Sequence, residues 1–254
     1  MEKLSNTAFS HADEFVQQVP LLVTSSHVTT NRPAITLTFA QSLDGKIALP
    51  GQQLLLSGAE SMAMTHRLRS LHDGILVGID TVICDDPQLC VRHVPASELA
   101  TVAHPQPIVL DSQLRIPLTA RLLVGPQTNS RLKMPLIVTG PDHDPARRVQ
   151  LEQMGTRVIV VACDAGHLRL DAVVRELRQL GIMRLMVEGG ARVIQAFLES
   201  QMVDLLIVTI APVLVGSSGV AAALSPLSAP IVPQLYEPFG RDVVMAATIQ
   251  HNAC

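Results

Sequence analysis

A chain of 254 residues, 48% apolar and 16% charged, is long enough for one large α/β domain or two small ones. Its apolar residues fall in short runs broken by Pro, Gly or charge, which excludes a continuous membrane span of about 20 residues. A formal charge of −3 with scattered Lys and Arg, no Trp and a single Tyr argue against nucleic acid as a partner, while leaving room for a small phosphorylated ligand.

The amino-terminal stretch is polar and lacks the apolar core of a secretion signal, so a soluble, cytoplasmic protein is expected. Residues 1–32 read as a peripheral arm, with Phe15, Val16 and Val19 at helical spacing before Pro20. From Pro33 the texture changes. AITLTFA alternates with β-branched residues as a strand does, and QSLDGKIALPG follows as a loop in which Asp44-Gly45 is a favourable turn pair. A helix is expected over about Ala59 to Leu71, then a short buried strand in GILVGI. The runs PIVLD, PLIVTG and TRVIVVA recur about 25 residues apart, with a helix around Ala146 to Met154 between the last two, which is an α/β rhythm.

In LDAVVRELRQLGI, the residues Val173, Val174, Leu177 and Leu180 lie at helical spacing and Gly181 supplies a stop. RLMVEGG is a further strand, followed by a helix over about Ala191 to Glu199. The long run DLLIVTIAPVLVG contains Pro212 and predicts a bulged or bent strand. Residues 217–238 read as a Ser-, Pro- and Ala-rich loop, and DVVMAATIQ as a final antiparallel edge strand.

Three stretches carry candidate chemistry. In MVEGGARV a strand meets a helix through Gly189 and Gly190 with no conventional cap, so an anion seated on the orphan amides can serve as the cap. A Gly-Gly turn also serves plain tight connectivity, and neither GxGxxG nor GxxxxGK[ST] is present, so spacing alone leaves both readings open. Glu188 is either a solvated strand end or a group that reads ligand N–H and O–H donors. In GILVGIDTVICDDPQLCVR, Thr81, Asp85, Asp86 and Arg92 are expected in a loop after the strand. The paired carboxylates there fit an Asx-type turn before Pro87 better than a metal site, which would need further oxygen ligands. In FAQSLDGKIA, Ser42, Asp44 and Lys46 occupy a turn. The four cysteines Cys84, Cys90, Cys163 and Cys254 show no zinc-like grouping and read as reduced thiols. His66, His72 and His93 form no defensible triad.

Taken together, the segments TFAQSLDGKIA (38–48), HDGILVGIDTVICDDPQLCVR (72–92), IVLDS (108–112) and MVEGGARVIQAFLESQMVDLLIVTIAPVLVG (186–216) resemble one family, the reductase of riboflavin biosynthesis. The resemblance implies a dihydrofolate-reductase-like α/β fold: a mixed, mostly parallel sheet flanked by helices, with a C-terminal antiparallel edge, in a single domain over 33–254. It implies NADPH-dependent reduction of a pyrimidine ribosylamino 5′-phosphate to its ribitylamino product, by hydride transfer and without an assigned catalytic side chain or metal. Residues matching the family's cofactor contacts are Thr81, Asp85, Ser112, Val161, Gly189, Gly190, Ala191, Arg192 and Val193. Those matching its substrate contacts are Lys46, Arg69, Leu89, Arg92 and Glu188. Where bacterial relatives often carry Trp-Ile-Thr this chain reads LLLSG (54–58), and the HxE and PCxxC of a zinc deaminase do not occur. The pattern resembles the stand-alone fungal reductases, which implies the 2,5-diamino-pyrimidinone substrate. The deaminated uracil, dihydrofolate and a non-catalytic nucleotide-binding module are the alternatives. The family also implies a homodimer, and the run from Leu205 to Val215 is expected to supply a shared sheet edge.

Overall fold

The computed structural model describes residues 6–22, 31–52, 54–222 and 230–250. Among these residues one sheet is built from nine strands, β1 (Ala34–Ser42), β3 (Gly74–Gly78), β4 (Gln106–Leu110), β5 (Leu136–Thr139), β6 (Arg157–Val160), β9 (Arg184–Val187), β10 (Leu205–Ala211), β12 (Ile231–Phe239) and β13 (Asp242–Ile249). Their order across the sheet is β12-β13-β10-β1-β9-β3-β4-β5-β6. Every pairing from β10 through β1 to β6 is parallel, and β13 and β12 are added antiparallel, which is the expected architecture.

Alternation along the strands feeds two cores. Leu185 and Val187 of β9 and Leu206 and Val208 of β10 point to one face, where α6 (Leu170–Gln179) and α7 (Ala191–Glu199) supply Val173, Leu177, Ile194 and Phe197. Met186, Leu205 and Ile207 point to the other face. There they meet Met64 and Leu68 of α2 (Ala59–Ser70) and Phe15, Val16 and Val19 of α1 (Asn6–Leu22). The rest of that face carries α3 (Ile79–Asp85), α4 (Arg121–Thr128) and α5 (Pro145–Gln153), packed through Val82, Leu123 and Leu151 onto Val77, Val109 and Ile137. Among the described residues no helix is long and apolar enough to cross a membrane.

Several expectations are corrected. The segment read as a peripheral arm contains α1, whose apolar stripe is a core layer because it packs on α2 and on β12 and β13. Residues 1–5 and 23–30 of that segment lie outside the described residues. Thr81 and Asp85 stand on α3, not in a loop. The loop resumes at Asp86, which adopts φ +40°. The run after Asp204 is not a bent strand: β10 stops at Ala211, because a strand paired on both sides has no place for a residue without an N–H. β10 is therefore interior and supplies no shared edge. β13 is interior too, and the edge is β12, which sequence reading placed in a loop. Pro233 and Pro238 disguise it, and such residues are tolerated because only one side of an edge strand is paired. Finally, β2 (Lys46–Ala48) pairs with β11 (Val220–Ala221) in a small ribbon beside the main sheet, and β7 (Cys163–Asp164) with β8 (His167–Leu168) in another.

Candidate active site

A cleft of about 380 Å³ opens at the carboxyl ends of β1, β9 and β10, the end of an open α/β sheet at which ligands bind. Thr38, Phe39 and Ala40 of β1 and Thr209 of β10 line its base. α2, α3, the 188–191 turn and residues 49–52 and 54–57 form its walls.

The 188–191 turn is built around Val193. A Cβ on Gly189 would lie 2.3 Å from Val193 Cβ, and one on Gly78 would lie 2.8 Å from Val193 Cγ2. Gly78 is the N-cap of α3 and Gly190 that of α7, both in extended conformation and both without a capping side chain. The first N–H groups of α7 consequently have no intrahelical acceptor, and the helix dipole adds positive potential there. A Cβ on Gly190 would meet Thr81 Oγ1 at 3.3 Å, so the hydroxyl stands beside the bare turn. This cradle fits a dinucleotide phosphate: backbone amides, a hydroxyl and no side chain between them.

Of the residues matched to cofactor contacts, Thr81, Asp85, Gly189, Gly190 and Ala191 line the cleft. Val193 does not, because its side chain fills the space under Gly78 and Gly189. Arg192 points outward, with its side chain 84% exposed and its guanidinium 3.6 Å from Asp80. Ser112 and Val161 lie beyond the ends of β4 and β6, away from the cleft lining. Burial raises the carboxyl of Asp85 above its ordinary value.

Glu188 and Arg69 also line the cleft. Arg69 Nε donates to Glu188 Oε1 at 2.7 Å and Nη2 to Oε2 at 2.6 Å, a bidentate pair, while Nη1 donates to the Cys90 carbonyl at 3.1 Å. Burial works against the charge of Arg69, and the Glu188 carboxylate outweighs it, so the guanidinium titrates above its usual range. The cation matched to a substrate contact is thus engaged by the neighbouring carboxylate. Lys46 stands next to Ile47 and Ala48, which line the cleft, but is not itself in the lining. Leu89 is buried in the core under α3. Arg92 is exposed, with Nη1 donating to Gln88 Oε1 at 2.9 Å.

Two supports of the site are invisible in sequence. His66 Nδ1 accepts from the Arg92 backbone N–H at 2.9 Å, tying α2 to the 88–92 segment. Burial, aided by the charges of Arg69, His93 and Arg92, lowers its pKa to about 2. Asp242, from the start of β13, accepts from Gly58 N at 2.6 Å and Ser61 Oγ at 2.5 Å, and so caps α2, whose own N-cap is a glycine without a side-chain bond. The adjacent Arg241 Nη2 donates to the Leu56 carbonyl at 2.9 Å and holds the 54–57 part of the wall. Sequence reading also missed Thr38, Thr209, Met62, Thr65 and Cys84 in the lining. Cys84 alone had a usable signal, lying one helical turn beyond Thr81.

A family model described as the RibD C-terminal domain matches residues 33–232. The chain is 37% identical over 210 residues to the 2,5-diamino-6-ribosylamino-4(3H)-pyrimidinone 5′-phosphate reductase of Debaryomyces hansenii, covering 77% of this chain and 81% of that protein. It is 36% identical over 192 residues to the riboflavin biosynthesis protein RibD of Aquifex aeolicus, covering 75% of this chain but spanning only about half of that protein, 49%. Among solved structures, the Saccharomyces cerevisiae riboflavin biosynthesis reductase Rib7 superposes with a TM-score of 0.73 at 27% identity, over 93% of this chain and 98% of the other.

Proposed function

The chain belongs to the RibD C-terminal domain family, and from that membership we propose that it reduces 2,5-diamino-6-ribosylamino-4(3H)-pyrimidinone 5′-phosphate to the ribitylamino product with NADPH. The observation that carries the reading is one cleft with two unlike features. The uncapped amino end of α7 beside Thr81 lines it, and so does the Glu188–Arg69 pair. In this reading the amides of Gly190 and Ala191 and the Thr81 hydroxyl hold the cofactor's phosphates, and Asp85 faces the cofactor from the next turn of α3. When bound, the nicotinamide supplies the hydride. The protein aligns the two molecules, and the walls from α2 and residues 54–57 exclude water. Glu188, oriented by Arg69, accepts hydrogen bonds from the pyrimidine or the sugar, and Lys46 holds the phosphorylated end of the substrate.

The test is loss of reduced-nicotinamide absorbance with the purified full chain. Turnover is expected with the diamino compound and NADPH, and slower turnover with the deaminated uracil. Cofactor binding without consumption of either substrate would overturn the reading. We also propose that the protein works as a homodimer, its partner meeting a surface other than the interior β10. Sedimentation velocity at micromolar concentration should give twice the chain mass, and a monomer would refute this.

A further inference from the structure

The turn after β1 does more than reverse the chain. Ser42 Oγ donates to Asp44 Oδ1 at 2.6 Å and accepts from the Lys46 backbone N–H at 2.9 Å. Asp44 then reaches across the fold: its Oδ1 accepts from Val215 N at 3.0 Å and its Oδ2 from Gly216 N at 2.7 Å. Gly216 sits at φ +85°, and two successive amides ending in a left-handed residue make a concave anion cradle, here occupied by the protein's own carboxylate. Neighbouring backbone bonds continue the contact, from Leu43 N to the Val213 carbonyl at 2.9 Å and from Ala222 N to the Gly45 carbonyl at 3.1 Å. A carboxylate that merely formed a turn would bond within its own few residues.

What lies between these contacts is a wall of the cleft. The β2–β11 ribbon supplies Ile47, Ala48 and Val220 to the lining, and it joins the clasped turn to the clasped loop. Gly219 rests against the stem of Lys46. A Cβ there would lie 2.6 Å from Lys46 Cγ and 2.9 Å from its Cβ, near the backbone, where the side chain has least freedom to move aside. The loop held by Asp44 therefore sets where the Lys46 side chain leaves the ribbon.

We propose that Asp44 is a positioning residue for the substrate end of the site: its carboxylate clasps residues 215–216 to the β1–β2 turn, so that the β2–β11 ribbon is held as a wall and Lys46 is aimed at the phosphorylated substrate. The proposal rests on the assignment of Lys46 to the substrate made above. The bond from Ser42, then those from Val215 and Gly216, lower the Asp44 carboxyl from 3.8 to about 2. The clasp is thus fully ionised at working pH, and its contribution is lost only as pH falls through that lower value.

The experiment is a double-mutant cycle on the full chain, with steady-state kinetics on the diamino substrate and a fluorescence titration of NADPH as the control. Asp44→Asn keeps the shape but turns an N–H toward a backbone donor. It is expected to raise the KM for the pyrimidine about tenfold, with kcat and NADPH affinity within about twofold of wild type. Lys46→Met is expected to raise the same KM at least as much, and the double variant to be no worse than Lys46→Met alone, since both act through one ammonium. Gly219→Ala, whose Cβ would meet the side chains of Lys46 and Val215, should raise the KM in the same direction and serves as the second probe if Asp44→Asn folds poorly. Independent, multiplying effects of the two substitutions, or equal losses of NADPH and pyrimidine affinity, would reduce Asp44 to a structural residue. A wild-type KM in Lys46→Met would sink the assignment of Lys46, whereas a raised KM there with unchanged Asp44→Asn and Gly219→Ala would sink the positioning role alone.

Discussion

Arg69 satisfies Glu188 through two parallel bonds and the Cys90 carbonyl through a third, and both side chains of the pair are largely buried, at 10% and 16% exposure. Removing one member of such a pair leaves a charge without its counter-ion, which costs more than the intact pair contributes. Arg69→Met is expected to lower the unfolding free energy by about 3 kcal/mol, toward the lower end for a buried pair because the cleft admits water to Glu188. Arg69→Lys should recover less than half of this, since an ammonium cannot serve both carboxylate oxygens and Cys90 in the fork geometry of a guanidinium. Urea unfolding of the two variants checks both values, and a neutral Arg69→Met would show the pair to be incidental.

The two glycines at the start of α7 look equivalent in sequence and are not. Gly189 is required by packing, because any Cβ would overlap Val193, while Gly190 faces Thr81 and the cleft with room for a tight fit. Gly189→Ala is expected to destabilise the protein by about 1–3 kcal/mol through overpacking, a loss read in thermal or urea unfolding. Gly190→Val should leave unfolding near wild type and weaken NADPH binding at least tenfold, because it obstructs the amides that a ligand would use. Cofactor titration separates the two, and unchanged affinity in Gly190→Val would move the phosphate cradle elsewhere. The same distinction holds for whole elements. The spacing of Phe15, Val16 and Val19 predicted a helix correctly, but its place as a core layer against Met64 and Phe239 follows from where β12 and β13 end.

Over the whole molecule, burial leaves several histidines hard to protonate. His66 is held at about 2, and His72, which bonds the Leu68 carbonyl and Thr36 Oγ1, also titrates below its usual 6.5, chiefly because of burial. The unfolded chain binds these protons near pH 6.5 while the folded chain does not, so stability is greatest above that value and falls as pH drops below it. From pH 7 to pH 5 the unfolding free energy is expected to fall by about 2 kcal/mol through His66, with His72 adding to the fall in the same direction. His93 and His104 shift the same way, but they are more open to solvent and add less. Urea titrations at the two pH values test this, and equal midpoints would show that other groups compensate.

What could be read in the chain by itself was whatever depends on short-range periodicity or on local chemistry. The alternation of β1, the short apolar run of β9, the helical stripes of α6 and α7, the Asp44-Gly45 turn with its glycine at φ +72° and the bare Gly-Gly junction belong to that class, as does the family resemblance of the motifs. The tertiary structure alone decided the partners: Arg69 with Glu188, 119 residues on, Asp44 with Val215 and Gly216, 171 and 172 residues on, and Asp242 with Gly58, 184 residues before it. It also decided that β10 is interior and β12 the edge. The reason is physical. Period reports which face of an element meets apolar surroundings, whereas a hydrogen bond across the fold depends on how whole elements are stacked, and no local pattern of residues records that distance.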